Sequence, residues 1–484
     1  MLLVIDIGTS TFKAALLKYD GRGVNSAEVP LSISSVQGSR HETESARWLR
    51  AFEEVLPRLG SLNQVEAVVI SGNGPTVVPV TGEPSLAGGK LQLPAAQARL
   101  WLDRRAQEEA KTVSALQGGY VDPSFFLPKM LAVRNQEPEL YAKTRHFLAT
   151  PEFLAYALTG QARTVFPSAG FDRWYWNDGV LKQAGLDTEK FPPFVSPGDE
   201  IGTLLPAVTA RFGFSPQVKV IAGGPDFFVS ILGTGTVRPG QGCDRSGTSE
   251  GINVCTQNRI NDPRLMSYGH PITPYWNCSG IISTSGKAIA WGRDILGIAD
   301  HEAFYALAAA APPGAGGLLF LPYLAGERAP IWDPNARGVF VGLSLSTRRE
   351  EIARAIAEGV CFAIRDVITV MEEAGANVGE LRVTGGPAES AFLNQLKADI
   401  SRRPVLLPGL PEHQAKLPAE LLGLGVIGAA AMGKYPSFGE AAEAFVGIEK
   451  TFTPNPDTAS VYEDRFGGYR SLYQCLKPQF ERTT

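Results

Sequence analysis

LLVIDIGTSTFKAALLKYDG, residues 2–21, is the stretch on which the fold turns. Leu2, Leu3, Val4 and Ile5 make a short apolar run of the kind buried as a strand, and it delivers Asp6, Gly8, Thr9 and Ser10 at its end. Gly8 lets the backbone turn, while Thr9 and Ser10 set hydroxyls beside exposed amides, a cradle suited to phosphate. Asp6, at the strand end, is suited to hold a hydrated magnesium ion. Alternation resumes through Phe12, Ala14, Leu16 and Tyr19 to Asp20-Gly21, a hairpin signal. The glycine turn therefore lies between antiparallel strands, whereas a Rossmann or Walker loop would open a helix. The same pattern also makes an ordinary tight turn, so its meaning depends on partners further along the chain.

Three such partners follow. CDRSGTSEGINV, residues 243–254, again sets apolar flanks around a glycine and two hydroxyl residues, Gly247, Thr248 and Ser249. One phosphate-type turn in each half suggests two related domains clasping one polyphosphate. In LRVTGGPAESAFLNQLKADI, residues 381–400, a strand ends in Gly385-Gly386, Pro387 suits a first helical turn, and Phe392, Leu393, Leu396 and Ile400 recur at helical spacing. The double glycine lets a flat ring approach the backbone, which in company with the two turns makes an adenosine site. In IAGGPDFFVSILG, residues 221–233, a strand delivers Asp226 to the start of an apolar helix from Phe227 to Leu232. A carboxylate there is either an N-cap or a general base that accepts a proton from an attacking hydroxyl during phosphoryl transfer.

Composition bounds these readings. The 484 residues, 44% hydrophobic and 19% charged, suffice for two cores. Strand-like runs at Val65 to Ile70, Val218 to Ala222, Leu318 to Leu321 and Leu381 to Thr384 alternate with amphipathic helical stretches, the α/β pattern. Glycine-rich GTGTVRPGQG, residues 233–242, marks the junction, dividing the chain into domains 1–238 and 239–484. A net charge of −4 gives no electrostatic reason to expect nucleic acid or an anionic membrane as partner, so a small molecule is expected. Cys243, Cys255, Cys278, Cys361 and Cys475 form no CxxC pair and read as reduced, buried thiols of a cytoplasmic protein. His41, His146, His270, His301 and His413 lack metal-ligand spacing and read as structural or surface residues. No apolar run reaches the roughly 18 residues of a membrane span, and no basic leader precedes Asp6.

Together with WLDRR at 101–105, SGKAIAWGRD at 285–294, GVFVGLSLSTRREEIARAIAEG at 338–359 and the pattern around Pro454, Tyr462, Tyr469 and Tyr473, these motifs resemble the FGGY carbohydrate kinases over essentially the whole chain. The resemblance implies an α/β fold of two ribonuclease-H-like, actin-like domains, each a mixed sheet flanked by helices, with a catalytic cleft between them. It implies ATP and Mg2+ as cofactors, with Asp6 coordinating magnesium through water and Gly8, Thr9, Ser10 and Lys13 meeting the β- and γ-phosphates. Gly247 and Thr248 would hold the phosphates from the other domain; Gly286, Gly385, Gly386 and Ser390 would line the adenosine pocket. Asp226 would be the catalytic base. Lys129 matches a family lysine that starts a helix, and a solvated face is the equal reading of it.

The acceptor pocket departs from better-known members. Where many relatives place glutamine and a long polar or sulfur-bearing side chain, this chain reads Ser71-Gly72-Asn73-Gly74-Pro75. Asn73 and Gly74 remain as sugar-binding candidates, and the arginine and glutamate by which glycerol kinases grip their triol are absent. Trp101 and Asp103 match, an indole face and a carboxylate suited to seating a polyol. Phe227 stands where small or polar residues are frequent. Glu250 adds an anion beside the second phosphate turn, either to bind sugar hydroxyls or to pair with Arg245. The expected activity is phosphorylation of a pentulose such as xylulose. Alternatives are a kinase for another ketose, a deoxy-sugar or a sugar alcohol, and a nucleotide-gated binding protein without catalysis. Monomer and homodimer are both compatible with the sequence.

Overall fold

The computed structural model describes residues 1–32, 35–409 and 417–482. His413 lies outside the described residues. The chain divides into two compact units: Met1–Gly233 with Glu412–Val446, and Thr234–Pro411 with Gly447–Thr484.

The first unit is built on six strands: β1 (Leu2–Ile7), β2 (Thr11–Leu17), β3 (Gly23–Pro30), β4 (Ala67–Gly72), β5 (Glu200–Thr203) and β6 (Lys219–Pro225), in the order β5-β6-β4-β1-β2-β3. β1, β2 and β3 run antiparallel, while β4 and β6 continue parallel to β1. Every residue of β1 is buried, because both faces of this central strand are covered. Leu3, Ile5 and Ile7 share a core with Trp48 and Phe52 of α1 (Ala46–Leu59) and Phe153 of α3 (Thr150–Thr159); α2 (Phe126–Gln136) lies between these two helices in the chain. α4 (Asp226–Gly233) follows β6 directly.

Seven strands form the sheet of the second unit: β7 (Gln241–Ser246), β8 (Glu250–Thr256), β9 (Met266–Gly269), β10 (Trp276–Ile282), β11 (Glu380–Thr384), β12 (Val405–Gly409) and β13 (Gly447–Phe452). Their order is β9-β10-β8-β7-β11-β12-β13. Again three antiparallel strands, β7, β8 and β10, precede two parallel ones, β11 and β12. The same topology in both units is the ribonuclease-H-like arrangement the resemblance implies. α5 (Gly286–Ile295), the long α6 (Arg349–Glu373) and α7 (Ala391–Ser401) belong to this unit. The expected strand at 318–321 is shorter, Leu319–Leu321, and pairs with Val339–Val341 outside the main sheet.

The observed division differs from a single cut at 238/239, and the reason is packing. α8 (Ala419–Ala431) is apolar nearly all round and returns to the first unit. A Cβ on Gly423 would lie 1.9 Å from the carbonyl oxygen of Val229, and one on Gly233 would lie 1.8 Å from that of Ala419. Only paired glycines let α4 and α8 approach so closely. The cysteines carry a second difference. Cys243, Cys255, Cys278 and Cys361 are buried free thiols, as expected, but Cys475 is exposed. His270 is buried, its Nδ1 accepting the amide of Ile272 at 3.0 Å, and burial pushes it down to about 3. No helix among the described residues is long and apolar enough to cross a membrane.

Candidate active site

In the first unit the Gly8–Ser10 turn joins β1 to β2, closed by the Gly8 amide donating to the Thr11 carbonyl at 3.0 Å. Ser10 is exposed; Thr9 is half-buried, and its Oγ1 accepts the indole N–H of Trp101 at 2.9 Å. Sheet register sets Lys13 opposite Asp6. Asp6 is only 2% exposed and accepts a hydrogen bond from Ser71 Oγ at 2.8 Å. Burial, with the nearby charges of Glu420 and Asp226, pushes its carboxyl up to about 7 against the opposing pull of Lys13 and Ser71.

Asp226 opens α4 immediately after β6, with its Oδ1 accepting the Phe227 amide at 2.6 Å. Ser230 Oγ lies 2.8 Å from the Asp226 carbonyl oxygen and 3.3 Å from Glu420 Oε1, while Lys13 Nζ stands 3.8 Å from the other Glu420 oxygen. Three carboxylates thus act on one another around the phosphate-type turn. Among the described residues, no three His, Cys, Asp or Glu side chains assemble as a direct metal cage.

The acceptor candidates separate into two groups. Asn73 and Asp103 are committed to the protein. Asn73 Nδ2 donates to the Ile7 carbonyl at 3.1 Å, and its Oδ1 accepts Thr76 Oγ1 at 2.6 Å. Asp103 is fully buried, accepting from Arg105 Nη2 at 2.5 Å and from the His41 amide at 2.9 Å. Arg105 reaches both of its oxygens, so within the protein Asp103 ties the 101–105 loop. Gly74 is exposed, and Trp101 and Phe227 are half-buried. Phe227 stacks on Phe171 with centroids 5.8 Å apart, and Trp174 meets Phe171 edge-on at 4.5 Å. Lys129 does not lie on a solvated face. It is wholly buried in α2, and its Nζ donates to the carbonyls of Pro75 at 2.7 Å and Leu100 at 2.6 Å, joining the two acceptor loops. Burial pushes it down to about 7.

In the second unit β7 and β8 form a hairpin with Gly247, Thr248 and Ser249 at its tip, where Ser246 pairs with Glu250. Gly247 and Thr248 are exposed. The amide of Gly286 donates to the Gly247 carbonyl at 3.0 Å, and that of Lys287 to the Thr248 carbonyl at 3.2 Å, so the start of α5 clasps the turn. Gly385 takes φ 92°, and a Cβ there would lie 1.9 Å from the Ser246 carbonyl oxygen. Gly386 is exposed like Gly385 but has no atom within 4 Å of where its Cβ would be. Pro387 enters a short 3-10 turn, Gly386–Glu389; α7 begins after it, with Ser390 Oγ accepting the Leu393 amide at 3.2 Å.

Residues 1–233 match the N-terminal domain of the FGGY family of carbohydrate kinases, and residues 245–432 match the C-terminal domain of the same family. The chain belongs to the FGGY family of carbohydrate kinases. It is 28% identical to the xylulose kinase of Escherichia coli K12, over 99% of each chain. Among solved structures, its fold is similar to a gluconate kinase from Lactobacillus acidophilus, with TM-score 0.84, 24% identity and coverage of 100% of this chain and 99% of that one. A ligand-bound xylulose kinase from the same organism gives TM-score 0.84 at 23% identity, with 100% of both chains covered.

In this FGGY kinase the first unit brings Asp6, Lys13 and Asp226 into one charged neighbourhood, and the second sets Gly385 against the strand that leads into the Gly247–Ser249 turn. Ser390 caps α7 through its Oγ. Glu420, beside Asp6, and Phe171 and Trp174, around Phe227, stand outside the motifs of the sequence. The one available signal for Glu420 is a lone carboxylate in the otherwise apolar run from Ala419 to Ala431. Glu250, expected to bind sugar hydroxyls or to pair with Arg245, is buried, with Lys397 Nζ and Ser246 Oγ each 2.5 Å from its Oε1.

Proposed function

We propose that this FGGY kinase transfers the γ-phosphoryl group of ATP to a hydroxyl of a pentulose of the xylulose type. The observation that carries the reading is Asp226 at the start of α4, in the same charged neighbourhood as Asp6 and Lys13. Likeness to a xylulose kinase over nearly the full length of both chains supports the choice of sugar.

In this reading Asp226 accepts the proton of the acceptor hydroxyl as its oxygen bonds to the γ-phosphorus. The bond from phosphorus to the β–γ bridging oxygen breaks, and ADP leaves. Gly8, Thr9, Ser10 and Lys13 meet the β- and γ-phosphates; Gly247 and Thr248 hold phosphate from the second unit, where Gly286 and the exposed Gly386 receive the adenosine. The carboxylates of the first unit fit a hydrated divalent cation, because the mutual repulsion and burial that push up Asp6 are relieved by positive charge. Magnesium, when bound, supplies charge neutralisation of the phosphate oxygens, and Asp6 would hold it through water. Trp101, Gly74 and Phe227 offer surfaces to the sugar. Buried free thiols agree with a cytoplasmic setting.

A second reading is a deoxy-sugar acceptor. It is favoured by the hydrogen bonds Asn73 and Asp103 make within the protein and, separately, by the aromatic group of Phe227, Phe171 and Trp174.

Magnesium- and ATP-dependent ADP release across pentuloses, hexuloses, gluconate, deoxy-sugars, pentitols and glycerol separates these readings, with Asp226→Asn as the blank. Turnover on a pentulose, lowered by orders of magnitude in the variant, is expected. Asp226→Asn with undiminished turnover would remove it as the base, and preference for another acceptor would replace the pentulose.

A further inference from the structure

Three ionisable side chains lie behind the Gly247–Ser249 turn, all essentially without solvent exposure: Asp244, Glu250 and Lys397. Lys397 Nζ donates to Asp244 Oδ2 at 2.6 Å, to Glu250 Oε1 at 2.5 Å and to Ser246 Oγ at 2.8 Å. Ser285 Oγ donates to the remaining oxygen of Glu250. Burial disfavours charge throughout the cluster. Lys397 nevertheless holds Glu250 down to about 2, while burial and the Glu250 charge push Asp244 well above the carboxylate range. Lys397 bonds both carboxylates, so its ammonium offsets negative charge beside the turn.

Placement says more than charge. Ser246 and Glu250 are the last paired residues on either side of the hairpin tip. Lys397 lies one and a half turns into α7, downstream of the Gly385-Gly386 motif, and Ser285 immediately precedes α5, whose first amides clasp the same tip. One ammonium thus joins both flanks of the tip to α7, and one carboxylate joins the tip to α5. Stability alone does not account for such a cluster, since a buried ionic triad is generally no more stabilising than apolar side chains of similar volume.

We propose that Lys397 and Glu250 are positioning residues for the nucleotide, holding the Gly247–Ser249 tip, α5 and α7 in the mutual geometry that phosphate and adenosine require. The inference rests on the reading that this tip carries nucleotide phosphate. Without Lys397 the tip loses its tie to α7 and the Glu250 carboxylate is left buried without its cation; deleting the Glu250 carboxylate as well removes the tie to α5.

The test compares wild type, Lys397→Met, Lys397→Met with Glu250→Ala, and Ser285→Ala. Affinity for a non-hydrolysable ATP analogue is measured by calorimetry, with KM for ATP and for the acceptor and thermal midpoints alongside. Lys397→Met should weaken analogue binding and raise KM for ATP by about tenfold or more, with acceptor KM changed less than about twofold. The double variant, with both ties to the tip removed, should bind the analogue no better than Lys397→Met, and Ser285→Ala should weaken the analogue severalfold. Equal changes in both KM values, unchanged analogue affinity, or a double variant that binds the analogue as wild type does would each overturn the proposal. If Lys397→Met does not fold, unchanged affinity in Ser285→Ala overturns it alone. Gly386→Trp separates the underlying reading: if this variant binds the analogue as wild type does, the adenosine assignment fails, whatever the triad does.

Discussion

Asp6 is a carboxylate placed where ordinary folding would avoid one. Burial and two acidic neighbours raise it to about 7 from the 3.8 expected in the unfolded chain. Between these values the native state binds the proton and the unfolded state does not, so stability falls as pH rises from about 4 to 7 and then levels. Asp6→Asn should remove that slope and raise stability at pH 8 by up to a few kcal/mol, while lowering turnover severely; thermal melts at pH 4.5 and 8 check the first part. Lys129 presents the opposite case, a buried amine whose donors go to two loop carbonyls. Lys129→Met leaves the carbonyls of Pro75 and Leu100 unpaired, and it should raise acceptor KM severalfold with KM for ATP nearly unchanged. A uniform loss in both parameters would limit this lysine to general stability.

Among elements, the two consecutive glycines after β11 do different work. Gly385 has both positive φ and a carbonyl at contact, so Gly385→Ala should cost several kcal/mol and displace β7 from the loop, seen as a lowered thermal midpoint. Gly386 faces open space, and Gly386→Trp should fold normally yet raise KM for ATP far more than acceptor KM. The α4–α8 contact obeys the same logic as Gly385. Gly423→Val must push the helices apart and should destabilise the first unit by several kcal/mol, read by denaturant unfolding. None of these glycines is distinguishable from another by composition. Their reasons differ because a neighbour from elsewhere in the chain stands, or does not stand, where a side chain would go.

At the scale of the whole molecule, the order of the motifs carried the reading. Two strand–glycine–hydroxyl turns, the Asp226 helix start and the double glycine specified two sheets of the same topology and the kinase family, and these were legible because each depends on short-range needs. A buried strand requires consecutive apolar residues, a tight turn requires glycine, and a helix start tolerates a carboxylate. What only the tertiary structure decided depends on residues distant in sequence. Glu420 reaches the Asp6 neighbourhood because a glycine-faced helix returns to the first unit. Asp103 and Asn73 make hydrogen bonds with Arg105, His41, Ile7 and Thr76. Glu250, a carboxylate beside the second glycine turn, is bonded by Lys397, 147 residues further along the chain with nothing local to announce it. A residue's type states what it can donate or accept; only packing settles which partner has already taken it.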